Sequence, residues 1–392
     1  MAKNSKYASK ERKSPIQRAE DYLSKKFLFR YNVILSKVEY ANKQDRISLD
    51  LNDYKINSIL RELRCNGIVI SKSELIQTLR SEFVPQYDPF KRYFDTLQPW
   101  DGQTDYIAQL ANTIAVDEQE KENWDLYLRR WLIGVVASAT EAKEVNQTVL
   151  ILVGGQGIGK TKWMDRLVPK GLSRYYYSGN INPNDKDTKV NLAECLLINM
   201  DELENLNKGE IGTLKQLITL PTIRLRRPYA SIPETMTRRA SFMGSVNSMD
   251  FLRDETGNRR FLCVEALQID YAHHIDMDNV YAQAKHLFDA GERYWFNNEE
   301  NLRITEANEK YKSFYHEIEL VTELYDPCPL NEEPDILLTT SELQKELSKR
   351  ENLAINLSLR RLGMALRLSP YKRAKVGGLW KWRLKRKEKE QE

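Results

Sequence analysis

Between residues 148 and 264, short apolar runs alternate with segments of helical period, the pattern of a parallel sheet packed between helices. Strands are expected at 148–153, 174–178, 195–200, 222–227, 240–246 and 260–264. Upstream, three-to-four spacing predicts helices at 104–115 and 121–140. In the second, Trp124, Tyr127, Leu128, Trp131, Leu132, Val135 and Val136 mark one buried face. Residues 21–95 mix both periods, with strands at 31–39 and 46–50 and helices at 52–65 and 72–81. Pro85, Pro89 and Pro99 then punctuate the chain before a Trp100-Asp101-Gly102 turn. Downstream, 278–291 and 299–324 read as helices, and a prolyl break at 327–334 opens a last unit with helices near 340–350 and 355–367. Gly377-Gly378 leads into the alternating strand Leu379-Trp380-Lys381-Trp382-Arg383-Leu384. Two helices and a β-ribbon outline a winged helix, with Arg360, Arg361 and Arg367 on its candidate recognition helix.

The 392 residues fit two or three domains. With 41% hydrophobic and 30% charged residues the chain has the composition of a soluble protein. No apolar run approaches the roughly 20 residues of a membrane span, and no signal-peptide core is visible; no membrane partner is expected. The net charge of +4 is mild, yet positive residues crowd both ends: Lys3, Lys6, Lys10, Arg12, Lys13 and Arg18, then Lys372, Arg373, Lys375, Lys381, Arg383, Lys385, Arg386, Lys387 and Lys389. Basic ends contact nucleic acid or simply solvate a tail. Cys65, Cys195, Cys263 and Cys328 have no metal or redox spacing and read as reduced thiols of a cytoplasmic protein, in a bacterium or a phage-infected host cell.

One segment carries definite chemistry. Thr148-Val149-Leu150-Ile151-Leu152-Val153 runs into Gly154-Gly155-Gln156-Gly157-Ile158-Gly159-Lys160-Thr161 and then a helix-compatible stretch. Strand, glycine turn and helix form the context of a phosphate-binding P-loop. The expected ligand is ATP: backbone N–H groups of the loop cradle the phosphates, Lys160 reaches the β- and γ-phosphates, and the Thr161 hydroxyl takes a position on Mg²⁺. Cys195–Met200 reads as a buried strand ending in Asp201-Glu202. Asp201 suits the Mg²⁺ shell and Glu202 the orientation and deprotonation of attacking water; acids also commonly start helices. Asn247, after the strand 240–246, is placed to hold that water or sense the γ-phosphate, or else starts a turn. Arg259 and Arg260 form either a solvated edge or an arginine finger reaching a neighbouring subunit's site.

Together, Trp100-Asp101-Gly102, the glycine loop, the Asp-Glu strand, Ser245-Val246-Asn247 and Thr256-Gly257-Asn258-Arg259-Arg260-Phe261 resemble the virulence-associated protein E family, over roughly residues 95–265. The resemblance implies a superfamily 3 helicase of the AAA+ ATPases, from a phage or mobile element and acting as a homo-oligomeric, hexameric ring. It implies a pore hairpin gripping DNA, matched here by Thr222–Pro233 with Arg226, Arg227 and Tyr229. Arg226 and Arg227 suit phosphates and Tyr229 a base, although Arg224, Arg238 and Arg239 share the stretch and any of these arginines can instead serve ATP. The fold expected is α/β: a superfamily 3 P-loop ATPase with a mainly helical N-terminal region and a winged-helix-like C-terminal domain. The divisions are a disordered basic arm at 1–20, an accessory domain at 21–95, a helical lead-in at 96–145, the ATPase core at 146–270, a helical segment at 271–330 and the DNA-binding domain with its tail at 331–392. No primase domain is expected within the chain, which leaves a primase or initiator as a partner. Alternatives are an initiator whose ATPase drives assembly and a P-loop switch with slow hydrolysis.

Overall fold

A computed structural model describes residues 13–44, 48–201, 203–227, 232–247, 251–252, 257–311, 315–350, 357 and 359–387. At its centre five parallel strands lie in the spatial order Phe261–Glu265, Val149–Val153, Ser241–Val246, Leu197–Met200, Tyr176–Gly179. The three inner strands are buried throughout, as continuous apolar runs are when both faces of a sheet are covered. Successive side chains serve opposite faces. Leu150 and Leu152 join a core with Trp124, Trp131 and Val280, while Val149, Ile151 and Val153 join another with Leu192, Ile211 and Leu214.

Helix Lys121–Thr140 has the predicted bounds but not the predicted single buried face: every residue from Arg130 to Ala139 is buried. It is sandwiched between the sheet, to which Trp131 Nε1 donates at the Phe242 carbonyl (2.9 Å), and helices Tyr106–Ala111 and Met277–Asp289. The Trp100-Asp101-Gly102 turn is a local device. Asp101 accepts from the Gln103 and Thr104 amides, which holds its carboxyl down at about 2.

Sequence periodicity misjudged the N-terminal region in two ways. Helix Pro15–Lys26 occupies part of the stretch expected to lack order, started by a capping box between Ser14 and Gln17. The strand expected at 31–39 is two strands, Phe27–Asn32 and Lys37–Asn42, folded back at a turn where Ser36 adopts φ 53°. The unit is mainly helical as expected, and these strands, Leu49–Asp50 and Gln86–Tyr87 add a four-stranded sheet. Helices Asp53–Cys65 and Lys72–Leu79 fall where expected.

The strand predicted at 222–227 does not join the parallel sheet. Thr222–Leu225 pairs antiparallel with Glu234–Thr237 as a separate hairpin, the element the family resemblance implies. The helix expected over 299–324 is broken into Asn298–Ala307, a 3₁₀ turn Asn308–Tyr311 and Tyr315–Thr322. At the C-terminal end, helices Thr340–Arg350 and Leu359–Leu368 pack on a sheet in which Leu379–Arg386 pairs with Tyr325–Pro327, Ile336–Leu338 and Lys372–Val376.

Candidate functional site

Every strand of the central sheet ends at the same side, so the loops leaving their carboxyl ends converge there. Val153 passes into the glycine loop, and Lys160 begins the helix Lys160–Arg166. Gly157 and Gly159 take φ of 84° and 100°, left-handed backbone that favours glycine. At Gly159 the space is closed as well: a Cβ would stand 2.2 Å from a Tyr271 ring atom. The chain thereby turns back over itself and points Lys160 inward, where it is only 5% exposed. Its ammonium donates to the Gly154 carbonyl (2.7 Å), the Gly155 carbonyl (2.8 Å) and Asn247 Oδ1 (3.0 Å).

The strand order explains why Asn247 is there. Ser241–Val246 is inserted between the glycine-loop strand and Leu197–Met200, so Asn247 emerges between Lys160 and Asp201. These three line one cavity of about 470 Å³ together with Gln156, Gly157, Gly159, Thr161, Lys162, Ser245 and Tyr271. Ser178 lies behind the acid, its hydroxyl donating to Asp201 Oδ2 at 3.5 Å and accepting from Asn199 Nδ2 at 3.3 Å. Thus Gly155, Gln156, Gly157, Ile158, Gly159, Lys160 and Thr161 form one loop, and Asp201 and Asn247 face it. Glu202 and Tyr229 lie outside the described residues. Sequence reasoning missed Ser178 and Tyr271, neither of which belongs to a contiguous motif, and read Asn199 and Ser245 only as parts of their strands.

Arg259 and Arg260 are elsewhere. They precede Phe261–Glu265, whose register sets Phe261 opposite Val149 and Glu265 opposite Val153. The pair therefore sits at the amino end of the sheet, the far side from the glycine loop. Arg259 is exposed. Arg260 is half-buried, and burial, reinforced by Arg259, lowers its pKa. Both line a second cavity of about 290 Å³ with Gln147, Thr148 and Trp295.

The arginines around the hairpin divide sharply. Arg224 and Arg226 are exposed. Arg227 is folded inward: its guanidinium pairs with Glu194 and donates to the Ile34 carbonyl at 3.0 Å, tying the hairpin to the N-terminal unit. Arg238 is fully buried and serves three carbonyls, Leu220 (3.0 Å), Asn146 (2.8 Å) and Ala240 (2.5 Å). Burial depresses its pKa to about 9. Arg239 donates to the Ala139 carbonyl (2.6 Å) and Asp88 (3.3 Å). Arg238 and Arg239 therefore anchor the base of the hairpin, and neither lines the glycine-loop cavity.

The virulence-associated protein E-like domain model matches residues 95–313, more than half of the chain. The chain belongs to that family. The match takes in the glycine loop, Asp201, the hairpin, Asn247 and the Arg259-Arg260 pair of this virulence-associated protein E-like chain. Among solved structures, the apo structure of the NrS-1 C-terminal region aligns at a TM-score of 0.50 with 15% identity, covering 95% of this chain and 99% of that one. An A-form apo structure of the same region aligns at 0.48, with 15% identity and 96% and 100% coverage. The first alignment shows a shared mixed α/β fold. No curated protein matches the chain.

Proposed function

We propose that this chain is an ATP-driven DNA translocase of superfamily 3 AAA+ type, acting as a ring in the replication of a phage or mobile element. What carries the reading is the strand order, which brings Lys160, Asn247 and Asp201 from three separate segments onto one glycine-walled cavity. A triphosphate suits that cavity. Lys160 donates to two neutral carbonyls and an amide oxygen, and a phosphate oxygen, which carries negative charge, attracts the ammonium more strongly than a neutral oxygen does. The Thr161 hydroxyl and the Asp201 carboxylate supply the hard oxygen donors that Mg²⁺ takes, and the bound ion would neutralise phosphate charge.

The protein's own groups do the rest. Glu202 follows Asp201 and would orient and deprotonate the attacking water, and Asn247 would hold the terminal phosphate through the same side chain that steadies Lys160. Arg259 and Arg260, on the far side of the sheet, would complete the site of the next subunit, as heterologous ring contacts allow. DNA would meet the exposed Arg224 and Arg226 and, beyond them, Tyr229.

Phosphate release measured with and without single-stranded DNA tests the reading, together with strand displacement on a fork. The wild type is expected to be stimulated by DNA and to separate strands. Lys160→Ala is expected to lose turnover, and Glu202→Gln to bind ATP without hydrolysing it. Turnover by Glu202→Gln at the wild-type rate would remove that residue from its role. Hydrolysis without strand separation would favour an ATPase that drives initiator assembly.

A further inference from the structure

The C-terminal sheet ends in a hairpin whose tip stands clear of its core. Lys372–Val376 and Leu379–Arg386 are joined by Gly377-Gly378, with φ of 60° and 83°, the two-residue turn that matches strand twist. Alternation sets Trp380, Trp382 and Leu384 on one face. Trp382 and Leu384 are buried, at 4% and 0% exposure, but Trp380 lies beyond the edge of the core and is 54% exposed. Lys375 is its cross-strand partner, and the Arg373 guanidinium lies 4.8 Å from its ring centroid. Val376 and Leu379 are exposed beside it.

Charge along the hairpin is one-sided. From Ser369 to Arg386 the sequence contains no acidic residue. Among the described residues the hairpin's direct ion pairs lie at its base, where Glu332 pairs with Lys385 and Asp326 with Lys387. Glu342, whose carboxyl is held down first by hydrogen bonds from Thr339, also lies near enough to Lys381 to be lowered by that charge. Arg373 and Lys375 share the face of Trp380, with Lys381 and, further from the turn, Lys372 on the other face, and none of the four forms a direct ion pair among the described residues. An apolar tip in a field of cations opposes an acidic protein face poorly, because the ring would have no apolar partner. It suits a polyanion that offers a flat π surface with each charge.

We infer that this hairpin tip binds nucleic acid with unpaired bases, Trp380 stacking on a base while Arg373, Lys372, Lys375 and Lys381 track the phosphates. In a duplex the bases already stack on each other, so the ring is of use where a strand is open. The inference rests on the nucleic-acid part of the proposed function and not on hydrolysis.

The test uses the full chain without nucleotide, a labelled oligothymidylate and a duplex of equal length. Trp380→Ala is expected to weaken oligothymidylate binding by about 5- to 150-fold, the range measured for losing one stacked base, with a much smaller change on the duplex. Trp380→Phe is expected to recover most of the loss, which a folding defect in the alanine variant would not explain. Replacing Lys372, Lys375 and Lys381 by Ala should lower the slope of log affinity against log salt by about 0.7 per phosphate contact removed. The inference is overturned if Trp380→Ala binds oligothymidylate like the wild type, if its loss on duplex is as large, if the wild type binds no oligothymidylate, or if the substitution instead changes self-association. Phosphate release assayed separately shows whether the translocase reading stands or falls independently of this result.

Discussion

The far-side position of Arg259 and Arg260 makes the trans-arginine reading measurable. The strand that follows them has five residues, so at roughly 3.3 Å per residue the pair is about 16 Å from the glycine loop along the sheet. A guanidinium cannot close that gap within one subunit. Replacing both arginines by Ala should cost about 10³- to 10⁵-fold in turnover, or about 4–7 kcal/mol of barrier, if they act as fingers. Nucleotide binding by the same variant should be close to wild type. The Lys160→Ala protein is expected to be inactive for the opposite reason, since its arginines are intact and its own loop is not. In a randomly mixed 1:1 ring, a competent interface needs an arginine-deficient subunit presenting its loop to a lysine-deficient neighbour. In a head-to-tail assembly that arises at about one interface in four. Phosphate release should therefore rise from near zero in each parent to about a quarter of wild type on mixing. Native mass spectrometry supplies the check that mixed rings have formed. Mixed rings with no more activity than the two parents would refute a role in trans, and an arginine variant that still hydrolyses at the wild-type rate would remove the pair from catalysis.

Two further outcomes concern stability. Arg238→Met should lower unfolding free energy by at least about 3 kcal/mol, because three buried carbonyls lose their donor at about 1–3 kcal/mol each; a loss below about 1 kcal/mol in chemical denaturation would show that the site relaxes. Glu39 is 1% exposed, and although burial raises its pKa, hydrogen bonds from Asn32, Tyr87 and Arg30 hold it below the ordinary 4.5. Its contribution is thus full above that value and is lost as pH falls through the lowered one. Glu39→Gln should cost about 2–3 kcal/mol at neutral pH and less at pH 3, and equal losses at both would show that the charge is not what stabilises.

How much of this was legible depended on whether a feature was local. The P-loop pattern, the inner strands and helix Lys121–Thr140 follow from runs of residues adjacent in sequence, and their bounds were predicted closely. The insertion of Ser241–Val246 between two other strands is a matter of pairing, which periodicity does not encode. So the reason Asn247 meets Lys160 was hidden although Asn247 itself was singled out. Arg227, Arg238 and Arg239 show the same limit more severely. As sequence they are equivalent cations near a hairpin, and only burial against Glu194, against three carbonyls or against Asp88 distinguishes them. Tyr271 was invisible because its importance comes from Gly159 packing on its ring.

The hairpin and the residues facing the glycine loop are also consecutive along the backbone. Strand Glu234–Thr237 leads through Arg238, Arg239 and Ala240 directly into Ser241–Val246, and so to Asn247 on the Lys160 ammonium. Only these three residues intervene. The two arginines pin the middle of this path to the Leu220, Asn146, Ala240 and Ala139 carbonyls. The base of the hairpin and Asn247 are thereby held at a fixed spacing by one short stretch of backbone, pinned in its middle and paired on both sides where it enters the sheet.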